Sequence, residues 1–149
     1  MQNAGHTLLF KKLNLGAHKE IAVFDAPDSF ESELERLKGI KITRNPRKPK
    51  AIKFGLAFAM TQAQLDRISK ILAAAAEGDA VLWFAYPKGT SRRYRCEFNR
   101  DTGWSVLRAA GFDTVRSVAI DEDWTGLRFR RREYVKSAAS IASSVKAGK

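Results

Sequence analysis

The chain has 149 residues, a single cysteine, 44% hydrophobic residues and a formal net charge of +11. This length suits one domain with a full core, and the composition excludes an intrinsically disordered chain. No apolar stretch approaches the ~20 residues of a membrane span, and no signal-peptide pattern is present. We therefore expect a cytoplasmic protein without membrane insertion, whose charge favours a polyanionic partner such as a nucleotide or nucleic acid.

Strand and helix signals alternate along the chain. Apolar β-forming runs predict strands, in chain order, at 19–24, 40–43, 51–58, 80–86, 114–120 and 126–132. Apolar residues at helical spacing predict helices that begin near Asp28, Thr61 and Asp101 and end near Gly39, Gly78 and Gly111. Asp28 with Glu31, and Thr61 with Gln64, have the spacing of a capping box.

The run Val81–Tyr86 has no polar alternation, which is typical of a strand buried on both faces of a helix-covered sheet. The last two strands are joined by a short acidic segment that predicts an antiparallel hairpin. The fold class is therefore α/β: three-layer and Rossmann-like, with a mostly parallel sheet and a C-terminal antiparallel hairpin. We expect a flexible lead-in at 1–7, a single α/β domain at 8–133 and a disordered basic tail at 134–149.

The loop after the central strand contains the first candidate site. Gly89 would let backbone N–H groups converge, Thr90 and Ser91 add hydroxyl donors, and Lys88, Arg92 and Arg93 add positive charge. The loop lies where open α/β sheets bind ligands, at the carboxyl edge. It predicts a phosphate or carboxylate site, although its spacing is not that of a Walker loop and a solvated basic loop is the alternative.

The last strand contains the second candidate. Arg128, Arg130 and Arg132 alternate with Leu127 and Phe129, so period two places the arginines on one face. The row is suited to nucleic-acid phosphates, and together with Arg92 and Arg93 it predicts salt-sensitive binding. Protection of an edge strand against pairing with another chain is the alternative.

Other residues have weaker signals. Asp121, Glu122 and Asp123 could bind Mg²⁺, but near-consecutive carboxylates point in different directions and we expect no metal site. Cys96 lacks a partner that would make a nucleophile pair, so no catalytic residue is assigned.

In architecture the chain resembles a truncated Rossmann-like methyltransferase. The glycine-rich loop that follows the first strand in that class is replaced here by Asp25-Ala26-Pro27-Asp28. At motif level, Pro87-Lys88-Gly89-Thr90-Ser91 and Trp124-x-x-Leu127-Arg128-Phe129 resemble a small bacterial family of uncharacterised proteins, a domain of unknown function. The similarity spans about residues 8–132 and implies a single-domain bacterial protein, without a known activity.

Three functions stay open at this point. The first is a non-enzymatic binding module with an anion site at the carboxyl edge of the sheet, for phosphate, nucleotide or nucleic acid. The second is a small Rossmann-like transferase that uses a nucleotide-containing cofactor, against which the absence of a glycine-rich turn counts. The third is an interaction protein with no small-molecule ligand. The sequence identifies neither the cofactor nor the oligomeric state.

Overall fold

The computed structural model describes residues 7–135, and the backbone in this range alternates strands with mostly short helices. The helices are α1 (Leu8–Lys12), α2 (Glu31–Glu35, after a 3₁₀ turn at Asp28–Phe30), α3 (Gln62–Ala75) and α4 (Ser105–Ala109). The strands are β1 (Glu20–Phe24), β2 (Lys41–Arg44), β3 (Ile52–Phe58), β4 (Ala76–Pro87), β5 (Phe112–Ala119) and β6 (Trp124–Arg131). Almost all of the expected lead-in and tail lies outside the described residues.

All six strands form one sheet in the order β2-β1-β3-β4-β6-β5. The first four strands are parallel, and β6 runs antiparallel to both of its neighbours. The predicted fold class is confirmed, including the C-terminal hairpin and the interior position of the 80–86 strand. The last strand, however, is not an edge strand, because β6 lies between β4 and β5.

Side chains from both faces of the sheet are buried. On the face covered by α3 and α4, Leu72 and Leu107 belong to one core with Leu82 and Phe84. On the opposite face, Phe10 of α1 belongs to a second core with the alternate residues of β4. We call these the α3 face and the α1 face. Burying one such side chain stabilises the fold by about 1.5–3 kcal/mol, which explains why β4 has no polar alternation.

Trp83 connects the α1 face to the chain before β1. Its side chain is fully buried, and its indole Nε1–H donates to the carbonyl oxygen of Leu13 at 2.7 Å. The segment after α1 is thereby held on the sheet although it contains no strand. Within residues 7–135, no helix has the length and apolar character needed to cross a bilayer.

Helix ends differ most from the sequence expectation. Thr61 does cap α3, its hydroxyl accepting from the Gln64 N–H at 3.1 Å. Asp28 caps nothing, because it lies inside the 3₁₀ turn, and Asp101 donates its own N–H to Asn99 instead of capping α4. Gly78 is not a helix C-cap: α3 ends at Ala75, and Gly78 sits within β4 at φ +58°.

Residues 45–51 return from the carboxyl end of β2 to the amino end of β3 without a helix. Pro46 and Pro49 of this connection line a cavity of about 600 Å³ together with Ala22, Thr43 and Ile52 of the sheet. β2 lies on one side of β1 and β3 on the other, so the direction in which successive strands are added across the sheet reverses after β2. Such a reversal is the topological switch point of an α/β sheet, and ligands bind beside it at the carboxyl ends of the strands.

Candidate functional site

The carboxyl end of β1 contains a polar network at the switch point. Asp25 adopts φ +54°, and its N–H donates to Asn45 Oδ1 at 2.8 Å. Its carboxylate accepts from Gln64 Nε2 at 2.9 Å and from Arg67 at 3.1 Å. Asn45 follows β2, so three elements bring their polar groups to one point. We call Asp25, Asn45, Gln64 and Arg67 the switch-point network.

Gln64 connects this network to β3. Its Oε1 accepts from the Met60 N–H at 2.8 Å while its amide nitrogen donates to Asp25. The Met60 carbonyl in turn accepts from the Glu97 N–H at 2.9 Å. Glu97 lies in the long loop after β4, so a continuous chain of hydrogen bonds joins that loop to the carboxyl end of β1.

The loop after β4 encloses a cavity of about 730 Å³, which we call the cationic pocket. Five of the six predicted anion-binding residues line it, and Thr90 does not. Its charged lining residues are Lys88, Arg92, Arg93, Arg95 and Glu97. Four cations against one carboxylate give it a positive potential, which raises the local concentration of anions. Arg95 belongs to this lining and was not among the predicted site residues.

The hydrogen bonds inside this loop differ from the expected phosphate cradle. The Ser91 hydroxyl donates to Asp123 Oδ1 at 2.8 Å and accepts the N–H groups of Arg93 and Tyr94 at 3.2 and 3.1 Å. Lys88 N–H donates to the Asp123 carbonyl oxygen at 2.7 Å. Gly89 has no positive φ and open space beside it, so the turn does not require glycine. What the pocket offers a ligand is side-chain charge, not a ring of backbone donors.

Buried titratable groups form the floor of the cationic pocket. Burial raises the pKa of the Tyr86 hydroxyl and of the Cys96 thiol. Both groups are therefore protonated at neutral pH, and Cys96 is a poor nucleophile. Trp104 packs against Tyr86 with ring centroids 5.7 Å apart, and both side chains belong to the core of the α3 face.

The arginines predicted on the last strand are mostly paired within the protein. Arg130 makes a two-pronged contact with Asp79 at 2.8 and 2.7 Å, and Arg132, one residue beyond β6, bonds to Asp113 at 3.1 Å. The Asp79 pKa is lowered, chiefly by this hydrogen bond. Arg128 lies on the strand with its Nε buried and without a partner. Edge protection is not their role, because β6 is an interior strand.

The two basic clusters lie at different places along the sheet. Arg128 lies opposite Trp83 in the register of β4 and β6, four residues before the end of β4. At about 3.3 Å per residue the first cation of the cationic pocket, Lys88, comes about 16 Å further along the chain. A single binding surface through Arg92, Arg93 and the β6 arginines would have to span that gap.

The acidic turn before β6 has a structural role. Asp121 Oδ1 accepts the N–H groups of Asp123 and Trp124, both at 2.8 Å. Asp123 points instead toward Ser91, and its side chain lies 3.9 Å from Arg93. Among the residues that the structure describes, no three His, Cys, Asp or Glu side chains are grouped as a metal ion would need.

Comparison with solved structures shows the fold class. The N-methyltransferase NodS from Bradyrhizobium japonicum is 15% identical with a TM-score of 0.54, over 85% of this chain and 93% of that one. A SAM-dependent methyltransferase from Aquifex aeolicus is 13% identical with a TM-score of 0.54, over 87% and 93%. The fold is that of the Rossmann-like methyltransferases. The mitomycin 7-O-methyltransferase MmcR is 12% identical with a TM-score of 0.59, over 78% of this chain and 50% of that one.

No family model and no curated protein matches the chain. The resemblance to a bacterial family of uncharacterised proteins therefore stays a prediction. The leading functional hypothesis, a non-enzymatic binding module, is wrong: the similar solved structures described above are methyltransferases, and they favour the transferase alternative.

Sequence reasoning missed the switch-point network. The sequence indicated Asp25 only as part of the segment that replaces a glycine-rich loop, and Gln64 only as part of a capping box. A usable signal was present, because Asp25 directly follows one predicted strand and Asn45 comes two residues after the next. Polar residues at the ends of parallel strands share one edge of the sheet and can meet there.

Proposed function

We propose that the protein is a small Rossmann-like transferase that uses a nucleotide-containing cofactor at the switch point and an anionic acceptor in the cationic pocket. The supporting observation is the hydrogen-bond chain Asp25–Gln64–Met60–Glu97, which joins the switch-point network to a residue that lines the cationic pocket. A transferase needs two such neighbouring sites, since donor and acceptor must meet.

The residues at the switch point fit the ribose of a nucleotide. The Asp25 carboxylate accepts from hydroxyl groups, and the side-chain amides of Asn45 and Gln64 both donate and accept. In dinucleotide-binding sheets an acidic residue about 20 positions after the first turn binds the ribose, and Asn45 stands at the matching place after β2. The turn Asp25–Asp28 provides no glycine for close approach to a pyrophosphate, so a cofactor without one fits better.

The cofactor would displace Arg67 from Asp25. The Arg67 side chain is 58% exposed and that of Asp25 31% exposed, and pairs of this kind contribute about 0–1 kcal/mol. The network can therefore open at little cost. S-adenosylmethionine, named with two of the similar structures, contains ribose and no phosphate, and when bound it supplies an electrophilic methyl group.

The cationic pocket would hold the acceptor. Lys88, Arg92 and Arg95 make no ion pair with an Asp or Glu in the described range 7–135, so their charge is available to a phosphate or carboxylate. Arg93 is drawn toward Asp123 and contributes less. The proposed anion-binding set is thus Lys88, Gly89, Thr90, Ser91, Arg92 and Arg93, with Arg95 added, and the proposed folding unit is residues 8–133.

A ligand-dependent melting screen tests the proposal. Ligands that bind the native state raise the melting temperature, so we would compare S-adenosylmethionine, S-adenosylhomocysteine, adenosine and common nucleotides. Asp25→Ala should abolish the shift, and Asp28→Ala, an exposed change three residues away, should retain it. A shift that survives Asp25→Ala, or no shift with any of these compounds, would refute the switch-point site.

A further inference from the structure

Three arginines lie on the α1 face of the hairpin, away from both sites described above. Arg116 of β5 is directly opposite Arg128 of β6, and Arg130 follows two residues later on the same face. Arg116 is exposed and Arg128 is half-buried beside Trp83, its register partner on β4. We call Arg116 and Arg128 the arginine pair.

Of these three arginines, Arg130 is paired with a carboxylate, and Arg116 and Arg128 are in no salt bridge that the described residues form. Arg130 is held by both carboxylate oxygens of Asp79. Neither member of the arginine pair makes a salt bridge to a carboxylate within residues 7–135, and the Arg128 Nε is buried with no hydrogen-bond acceptor. Burial lowers the pKa of Arg128, and the positive charges of Arg130 and Arg116 lower it further, while Asp79 acts in the opposite direction.

Both features are unfavourable in the protein alone. Like charges directly opposite each other on neighbouring strands destabilise a sheet. A buried donor left without an acceptor loses its hydration without replacement. An oxyanion would remove both penalties at once, because it accepts from the guanidinium N–H groups and separates the two positive charges.

We propose that the arginine pair is a binding site for a phosphate group. Two guanidinium groups present forked donors that match phosphate oxygens, and their combined charge matches a phosphate dianion better than a single carboxylate. The site does not depend on the proposed transferase function, because it shares no residue with the switch-point network or the cationic pocket. The phosphate could be free or belong to a nucleic-acid backbone, and the experiment separates these sources.

The test compares melting temperatures in sodium phosphate and in sodium chloride at equal ionic strength. A site loaded to about ten times its dissociation constant should raise the melting temperature by roughly 3–6 °C, in a saturable way. A second arm replaces inorganic phosphate with a single-stranded oligonucleotide of about ten residues that lacks terminal phosphates. Protection by the oligonucleotide alone would assign the site to a nucleic-acid backbone, and protection by inorganic phosphate alone to a phosphate monoester or free phosphate.

Variants locate the effect. Arg116→Gln, an exposed change that leaves the core intact, and Arg128→Gln should each remove the phosphate-specific shift. All shifts are compared in an Arg92→Gln background, so that phosphate held by the cationic pocket contributes less, and there Arg36→Gln, at the residue after α2, should retain the shift. Equal loss in Arg36→Gln would show general screening, retention in Arg116→Gln would show binding elsewhere, and either result overturns the proposal. Amide chemical shifts of β5 and β6 in each variant confirm that the hairpin is folded.

Discussion

The Ser91 hydroxyl donates to Asp123 at 2.8 Å and joins the loop after β4 to the connection between β5 and β6. The carboxylate of Asp123 is thereby buried, with the residue only 8% exposed. An acid from the β5–β6 connection therefore contacts two residues of the strongly basic loop that line the cationic pocket, Ser91 and Arg93.

Removing this acid should destabilise the protein. Asp123→Ala leaves the Ser91 hydroxyl without its acceptor and Arg93 without its partner, and we expect a loss of about 2 kcal/mol in the free energy of unfolding. Urea denaturation measures this loss. Glu122→Ala, an exposed neighbouring change, should stay within about 0.5 kcal/mol of the wild type. Equal effects of the two substitutions would mean that the Ser91–Asp123 contact contributes nothing.

Two glycines near the cationic pocket should respond in opposite ways to alanine. Gly103 has φ +100°, and a Cβ there would lie 2.7 Å from the Phe98 Cβ and 2.7 Å from Gln62 Oε1. We expect Gly103→Ala to cost about 1–3 kcal/mol. Gly89 has open space and no positive φ, so Gly89→Ala should be neutral or slightly stabilising. Thermal denaturation of both variants tests this contrast. Destabilisation by Gly89→Ala would show that the loop needs glycine at this position, as the sequence predicted.

Stability should fall in mild acid because of His18. Burial, and then the positive charge of Lys53, lowers the pKa of His18 below 6.5 in the folded protein. Between that lowered value and 6.5 the unfolded chain binds more protons, so the free energy of unfolding decreases as pH falls through this window. His18→Gln should reduce the decrease seen in urea titrations between about pH 7 and about pH 5.5. An unchanged pH dependence in the variant would show that other groups cause it.

Replacing one member of the arginine pair should stabilise the ligand-free protein. Arg116→Gln removes a positive charge directly opposite Arg128, and the expected gain is roughly 0.2–1 kcal/mol at low salt. The gain should shrink as salt is added, because screening weakens repulsion between exposed groups. Denaturation at low and moderate sodium chloride, with Arg36→Gln as the control, measures both effects. A loss of stability in Arg116→Gln at low salt would contradict the repulsion.

The architecture was predictable because its signals are local. The apolar run Val81–Tyr86 identified the central strand, and Thr61 identified the start of α3. Gly78 misled because a glycine after a helical pattern resembles a C-cap, whereas pairing of β3 with β4, Ile52 opposite Ala76, extends the strand back to the helix end. The insertion of β6 between β4 and β5 depends on pairing between distant residues, which no local pattern encodes.

The candidate site was predictable only in part, for the same reason. The cations of the loop after β4 stand together in the sequence and were identified. Gln64 and Asp25 are 39 positions apart, and Ser91 and Asp123 are 32 positions apart. Contacts of this separation follow from the strand order, which had to be known first.

The interior position of β6 has a consequence for how the chain folds. β4 and its apolar run are complete long before β6 exists, so during synthesis β4 presents an open edge to other nascent chains. Because β5 precedes β6 in the chain but lies beyond it in the sheet, β5 can join the sheet only through β6, and the β4 edge stays open until β6 docks on it. The chain is most prone to self-association before that docking. A chain that ends before Trp124 would keep the edge of β4 open permanently.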